Sequence, residues 1–312
     1  MDVRSLYERV ADFRVLLIGD AILDEYQYVT VLGKASKENL MATRLERRER
    51  FHGGVLAAAA HVRNFCREVV VHSGRSQMLK RRYVDEVYMR KLFEVQDALL
   101  LDVPEESCPD PRDFDLVIVT DFGHGCVTRE LIPWLIDRAP FLAVNAQSNA
   151  ANYGFNLITK YPRADFVVID EPEARLAAQN AEGPIEDVIR NLGFPRIIVT
   201  HGAHGSIGYD GTWHRARAYT QTVVDTMGAG DAFLCLTAPL AAAGVPMQEL
   251  VHIGNAAGAA KVGIVGHRRA VTREDIETIL RRESLGAGHP GRPARVSVRE
   301  RRERRECAPS GE

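Results

Sequence analysis

The sequence predicts an α/β protein, a doubly wound, mainly parallel sheet carrying a small β lid. Short β-branched runs alternate with amphipathic or alanine-rich runs along most of the 312 residues. The β-branched runs are nearly continuous in apolar residues, as strands buried on both faces are. Two polar, strand-like stretches, residues 25–52 and 80–95, break this rhythm and are expected to project from the core as a lid.

In chain order the core strands are predicted at "RVLLIGD", "EVVVHSG", "FDLVIVTD", "PFLAVNA", "ADFVVID" and "RIIVTHG". Helices are predicted at "VLAAAAHVRNF", "TRELIPWLIDRA", "EPEARLAAQN", "PIEDVIRNLG", "GDAFLCLTAPLAAAG" and "MQELVHIGNAAGAAKVG". Open sheets of this kind bind ligands at the carboxyl ends of their strands. Asp20, Asp121, Asn145, Asp170 and Thr200 all fall there.

Composition narrows the partners. A formal charge of −2 supplies no global attraction to nucleic acid or an anionic membrane. The first apolar run is too short for a signal-peptide core, and "AFLCLTAPLAAAGV" is shorter than a membrane-spanning helix and broken by Pro239. A cytoplasmic chain with no membrane partner is expected. Cys66, Cys108, Cys126, Cys235 and Cys307 are scattered without a CxxC pair, which fits reduced thiols. One domain is expected over residues 1–284. The arginine-rich stretch 285–312 has too few large aliphatics to offset its ordering entropy and is expected to be disordered. Its "RERRERRE" run reads as a solvated tail in preference to a nucleic-acid arm, because glutamates interrupt the arginines.

The stretch "VVDTMGAGDAF", residues 223–233, carries the chemistry. It lacks the lysine of a P-loop and the third glycine of a dinucleotide fingerprint. What remains is a strand, a glycine turn and a helix that starts at the turn. The amides of Gly228, Ala229 and Gly230 then lie at the positive end of a helix dipole, where a developing phosphate charge is stabilised. Asp231 beside them is placed to take a proton from an attacking alcohol. The tetrapeptide alone serves equally well as a turn followed by an ordinary N-cap aspartate.

The longer string "DTMGAGDAF" resembles the C-terminal signature of the ribokinase-like (PfkB) carbohydrate kinases, in which it carries the catalytic base and the anion hole. The resemblance runs over roughly residues 13–280. "VLLIGDAILDEY" looks like the first strand, with Asp20 and Asp24 implied to hold substrate hydroxyls. "GGVLAAAA" corresponds to the first signature, in which Gly53 and Gly54 let the backbone approach the sugar. "VTHGAHGS" implies a nucleotide-side role for Thr200, Gly202 and Gly205, and "GNAAGAA" places Asn255 beside the adenine pocket. "KRRYVD", "LFEV", "VIVTDFGHG" and "DEPEARLA" are most similar to the heptose 7-phosphate kinases. The implied reaction moves the ATP γ-phosphoryl group to a sugar or sugar-phosphate hydroxyl, with Mg²⁺ organised near Glu173 and with Asp225 shaping either the loop or a nearby monovalent-cation site. A homodimer through the lid is also implied. For Glu173, a first-turn helix acid complementing the dipole is the other reading.

Several positions depart from the pattern. The family's N-x-x-E reads Asp170-x-x-Glu173, alanines fill 57–60 where an asparagine is usual, and His124 stands where the heptose kinases carry lysine. Lone histidines in glycine loops are more often structural than catalytic. Between Gly74 and Lys80 the chain also lacks roughly 30 residues, about one βα unit, so a core strand is expected to be missing. That shortening leaves open a catalytically impaired module that binds a sugar phosphate or nucleotide. The cluster Lys80, Arg81, Arg82, Arg90 and Lys91 is where a substrate phosphate would be met, Arg82 foremost, unless it is simply a solvated lid strand.

Overall fold

The computed structural model describes residues 2–100, 107–219 and 222–286. Helix α1 (Val3–Glu8), N-capped by Asp2, precedes strand β1 (Arg14–Gly19). The lid hairpin β2 (Ala21–Lys34) and β3 (Met41–Gly54) leads into α2 (Val55–Val62) and β4 (Glu68–His72). A second hairpin, β5 (Ser76–Asp85) and β6 (Arg90–Leu100), completes the lid. The core continues with β7 (Leu116–Asp121), α3 (Leu131–Arg138), β8 (Leu142–Ala146), β9 (Phe166–Asp170), α4 (Glu171–Ala177), α5 (Ile185–Leu192) and β10 (Ile197–Thr200). The hairpin β11 (Ser206–Tyr209) and β12 (Trp213–Ala216) is followed by α6 (Ala229–Ala242), α7 (Met247–Val262) and α8 (Arg273–Gly286).

The core sheet has the order β12-β11-β10-β9-β8-β7-β1-β4. Six of these strands are the predicted ones and run parallel; β11 and β12 add an antiparallel edge that the sequence reading did not anticipate. Alternate residues of each strand serve opposite faces. Val15, Leu17, Leu116 and Ile118 pack with α1, α2, α6 and α7, whereas Leu16, Ile18, Val117 and Val119 pack with α3, α4 and α5. Helices therefore cover both faces of a mainly parallel sheet.

The lid is a separate four-stranded sheet, β3-β2-β5-β6, and the predicted stretches 25–52 and 80–95 lie wholly within its hairpins. Strand β4 is the outermost strand on its side of the core, all five of its residues half-buried, and residues 73–75 carry the chain directly from it into the lid. Here the sequence predicts the shortened connection. Helix α8 extends to Gly286, two residues past the expected domain end; the tail from 287 onward, with Cys307, lies outside the described residues. Cys66, Cys108, Cys126 and Cys235 are free thiols.

Helices α6 and α7 pack closely because Gly254 presents no side chain to Phe233; a Cβ there would lie 2.2 Å from the ring. Gly254→Ala is therefore expected to lower stability by about 1–3 kcal/mol through overpacking. Gly258, on the same helix, faces open space. Gly258→Ala is expected to gain up to about 1 kcal/mol from helix propensity. Thermal unfolding of the two variants measures both, and equal midpoints would contradict the packing account.

Candidate active site

Asp231 is the third residue of α6, whose N-cap is Gly228 in the left-handed region (φ 73°); the described residues 222–227 before the turn form no strand, contrary to the expectation, because the amides of Val224 and Asp225 bond to the Val262 carbonyl at the end of α7. No side chain caps this helix. The Asp231 carboxylate instead accepts from Gln147 Nε2 at 2.7 Å, just beyond β8, so the ordinary N-cap reading does not hold. It is 5% exposed. Burial raises its pKa to about 6, against the lowering influence of Lys261, Gln147 and Lys80, while Asp24 adds to the rise. Gly228 is required sterically as well as conformationally, since a Cβ would stand 2.6 Å from the His267 ring. At Gly230 a Cβ would meet nothing within 4 Å, so the loop is open on that side.

Gly53 and Gly54 bring the lid against the acids that follow β1. A Cβ on Gly53 would approach Asp24 Oδ2 to 2.1 Å, and one on Gly54 (φ 58°) would approach the Asp20 carbonyl to 2.3 Å. Asp24 is buried and ion-paired with Arg82, whose Nε also lies 2.7 Å from Glu94. Burial raises the Asp24 pKa, opposed chiefly by Arg82 and then Lys80. Lys80 is buried on the same face of β5, and among the described residues its ammonium has no hydrogen-bond partner; Glu94, Asp24 and Asp231 offset part of its burial cost. The two-residue period of the strand sends Arg81 to the other face, where it pairs with Glu25 at 2.7 Å. The predicted basic cluster is thus divided: Lys80 and Arg82 face Asp24, Lys91 reaches Asp225, and Arg81 faces away.

Asp20 is engaged by backbone amides of the loop after β7. Its carboxylate accepts from the amides of Phe122 and His124, each at 3.1 Å, and of Cys126 at 2.9 Å. It therefore folds the loop after β7. His124 Nε2, in that loop, is buried without a partner among the described residues, and burial followed by Lys80 lowers its pKa, which favours the neutral ring.

Asp225 gathers four donors: Tyr26 Oη at 2.7 Å, Lys91 Nζ at 2.9 Å, and the amides of Gly266 at 2.9 Å and Met227 at 3.2 Å. Burial alone would raise its pKa, but these bonds hold it down at about 2. Lys261, fully buried in α7, donates to the carbonyls of Met227 at 2.6 Å and Gly266 at 2.7 Å. Gln147, Lys261 and His267 were missed by the sequence reading. Lys261 had a signal, a lone charge in the apolar run "AAGAAKVG"; Gln147 sits two residues past Asn145, which was singled out.

Glu173 forms a capping box with Asp170, so its first-turn reading is realised. It also accepts from the Ser148 amide at 3.0 Å. Burial, then the charge of Asp170, pushes its pKa up to about 8, with Asp231 adding to the rise. Among the described residues no three His, Cys, Asp or Glu side chains converge as a metal cage. Glu173 and Asp231 place like charges near one another, a repulsion that a hydrated divalent cation would relieve.

The predicted nucleotide-side residues form a second group. Thr200 is paired in register with Asp170 on one side and Ser206 on the other. Gly202 (φ 54°) and Gly205 (φ 97°) make the turn, and a Cβ on Gly205 would collide with the Ala216 carbonyl at 2.0 Å. Asn255 donates to Ser206 Oγ at 3.0 Å and to the Ala216 carbonyl at 3.1 Å, so its amide fastens α7 to this hairpin. A cavity of about 1020 Å³ between α1, β12, α7 and α8 contains none of the predicted site residues.

Residues 155–273 match the family described as pfkB family carbohydrate kinase. The chain is 24% identical over 321 residues to the bifunctional protein HldE of Hyphomonas neptunium and 25% identical over 337 residues to that of Bradyrhizobium diazoefficiens. These alignments cover 88% and 92% of the chain but only 65% and 67% of those proteins, so the chain spans about two thirds of their length. A 2-dehydro-3-deoxygalactonokinase of Haloferax volcanii is 26% identical over 130 residues, covering 40% of the chain and 41% of that protein. Among solved structures, phosphofructokinase-2 of Escherichia coli in complex with potassium superposes with a TM-score of 0.65 at 14% identity, covering 87% of this chain and 99% of that one. Ribokinase of Thermotoga maritima gives 0.63 at 16% identity, covering 86% and 99%. These structural likenesses establish the fold.

The buried Asp231 carboxyl has a consequence for stability. A carboxyl raised from 3.8 to about 6 contributes stability that is fully present below pH 3.8 and lost as pH rises through about 6. Asp231→Asn removes that loss. Its melting temperature is expected to gain about 2–4 °C on the natural chain's between pH 5 and pH 7.5. A difference that stays constant over this range would show that Asp231 is not the buried acid described here.

Proposed function

We propose, for a chain that belongs to the ribokinase-like (PfkB) family of carbohydrate kinases, that it transfers the γ-phosphoryl group of ATP to a hydroxyl of a sugar or sugar phosphate. One observation carries the reading: Asp231 is a buried carboxyl near neutral pKa, held by Gln147 behind an open glycine loop at a helix N-terminus. A base of that pKa is ionised at neutral pH yet remains strong enough to accept the hydroxyl proton. The amides of Gly228, Ala229 and Gly230 meet the charge on the transferring group. Asp24 and Lys80, buried together on the inner side of the lid, position the acceptor. Thr200, Gly202 and Gly205 shape the nucleotide side, and Mg²⁺ would be held through water by Glu173 and supply charge neutralisation of the phosphates. Asn255 and Asp20 act by holding these loops in place.

Heptose 7-phosphate is the acceptor we favour, since the HldE relatives align over most of the chain. Lys80 and Arg82 are the groups that meet its phosphate, and Lys80 carries the weight because Arg82 is already paired twice. No described helix is long and apolar enough to cross a membrane. The free thiols suit the cytoplasm, and a homodimer through the lid remains part of the proposal. A monovalent cation, which phosphofructokinase-2 of E. coli holds as potassium, would have to find room beside Asp225. The pairing of Asp24 with Arg82 and the use of Glu173 in a capping box favour a second reading, a non-catalytic module that binds a sugar phosphate or nucleotide.

Release of ADP from Mg·ATP, over a panel of sugars headed by D-glycero-D-manno-heptose 7-phosphate, separates the two. The natural chain is expected to show sugar-dependent turnover that falls by about 10²–10⁴-fold in Asp231→Asn. Its kcat/KM should decline as pH drops below about 6, where the base becomes protonated. A folded, ATP-binding protein with no turnover on any acceptor would leave the binding module standing. In the same assay Lys80→Met is expected to raise KM at least about tenfold for phosphorylated acceptors while leaving KM for ATP unchanged. An equal rise for unphosphorylated sugars would remove Lys80 from phosphate recognition.

A further inference from the structure

Lys261 lies among the alanines and glycines of α7 with no exposure to solvent. A buried ammonium is costly unless it is hydrogen-bonded and matched by charge. Both conditions are met. Its Nζ bridges one carbonyl from the loop before α6, Met227, and one from the loop after α7, Gly266. Burial lowers its pKa, while Asp225 foremost, and then Asp231, favour the charged form. The Gly266 amide closes the arrangement by donating to Asp225 at 2.9 Å. The other cations and histidines around it are Lys91, which pairs with Asp225, and His61 and His267, whose pKa values burial lowers to about 3, leaving both rings neutral.

Two backbone carbonyls beside a carboxylate are the oxygen set that a hard cation takes. Here the ammonium already occupies it, and the aliphatic stem passes close under the anion loop, with Cε 3.3 Å from where a Gly228 Cβ would stand. The residues present therefore do not fit a dissociable monovalent cation at this place. We propose that Lys261 is a tethered cation that joins the Met227 and Gly266 loops and makes the protein independent of potassium. Holding those loops fixes the position of Gly228 at the start of α6. The consequence for catalysis rests on the kinase reading above; the consequence for stability does not.

The test compares the natural chain with Lys261→Ala in potassium, ammonium and N-methylglucamine chlorides at equal ionic strength, reading melting temperature and Mg·ATP affinity. The natural chain is expected to be the same in all three salts. Lys261→Ala is expected to melt lower in N-methylglucamine and to recover at least half the loss, saturably, in potassium or ammonium, whose ions fit the vacated space. A natural chain stabilised severalfold more by potassium, or a variant equally weakened in every salt, overturns the proposal. Should the variant fold only in potassium or ammonium, that counts as recovery; failure to fold in all three overturns it. Turnover in the same salts, measured last, distinguishes failure of the kinase reading from failure of this one, because melting temperature requires no reaction.

Discussion

The carboxylate of Asp225 joins three parts of the molecule that are remote in sequence. Tyr26 and Lys91 reach it from the two lid hairpins, the Gly266 amide from the segment after α7, and the Met227 amide from its own loop. A buried carboxylate with four donors is both inexpensive to ionise and hard to displace. The lid is consequently fastened to the loop that starts α6, and Tyr26, Tyr28, Phe51 and Val84 pack against Met227 and Val265 around that attachment. The conformation of Gly228, and with it the direction of the first α6 amides, depends on this attachment.

The acids of the site differ because their surroundings differ. Asp225 is held at about 2 by its donors, whereas Asp231, with one side-chain donor, rises to about 6, and Glu173, near Asp170 and Asp231, rises to about 8. Such separation of like groups places a permanent anion in one site with carboxyls that titrate near neutrality. Asp20 and Asn255 belong to the supporting structure: each spends its hydrogen bonds on backbone or a neighbouring side chain, ordering the 122–126 loop and the β11–β12 hairpin.

Six core strands, the helices between them and the lid were legible because their signals are local: continuous apolar runs for buried strands and polar strand-like stretches for the projecting sheet. The β11–β12 hairpin escaped notice because four-residue strands carry too little periodicity to stand out. The same limit applied to α1, six residues long. Among site residues, glycines could be read from sequence since their motif spacing reports a backbone requirement, and Gly53, Gly54, Gly205 and Gly228 each prove to have no space for a side chain.

What the sequence determined by itself was the class of fold and the glycine turn that opens α6, because strand periodicity and a glycine turn before an acid are properties of neighbouring residues. Tertiary structure alone set aside the N-cap reading of Asp231: the carboxylate meets Gln147, 84 positions away, and helix α6 has no side-chain cap. It likewise decided that Asp20 supports a loop, that Arg81 turns from the site while Lys80 enters it, and that Lys261 spans Met227 and Gly266. These are contacts between distant segments, and their energies depend on burial and on the partner's position. Neither quantity exists until the chain has folded.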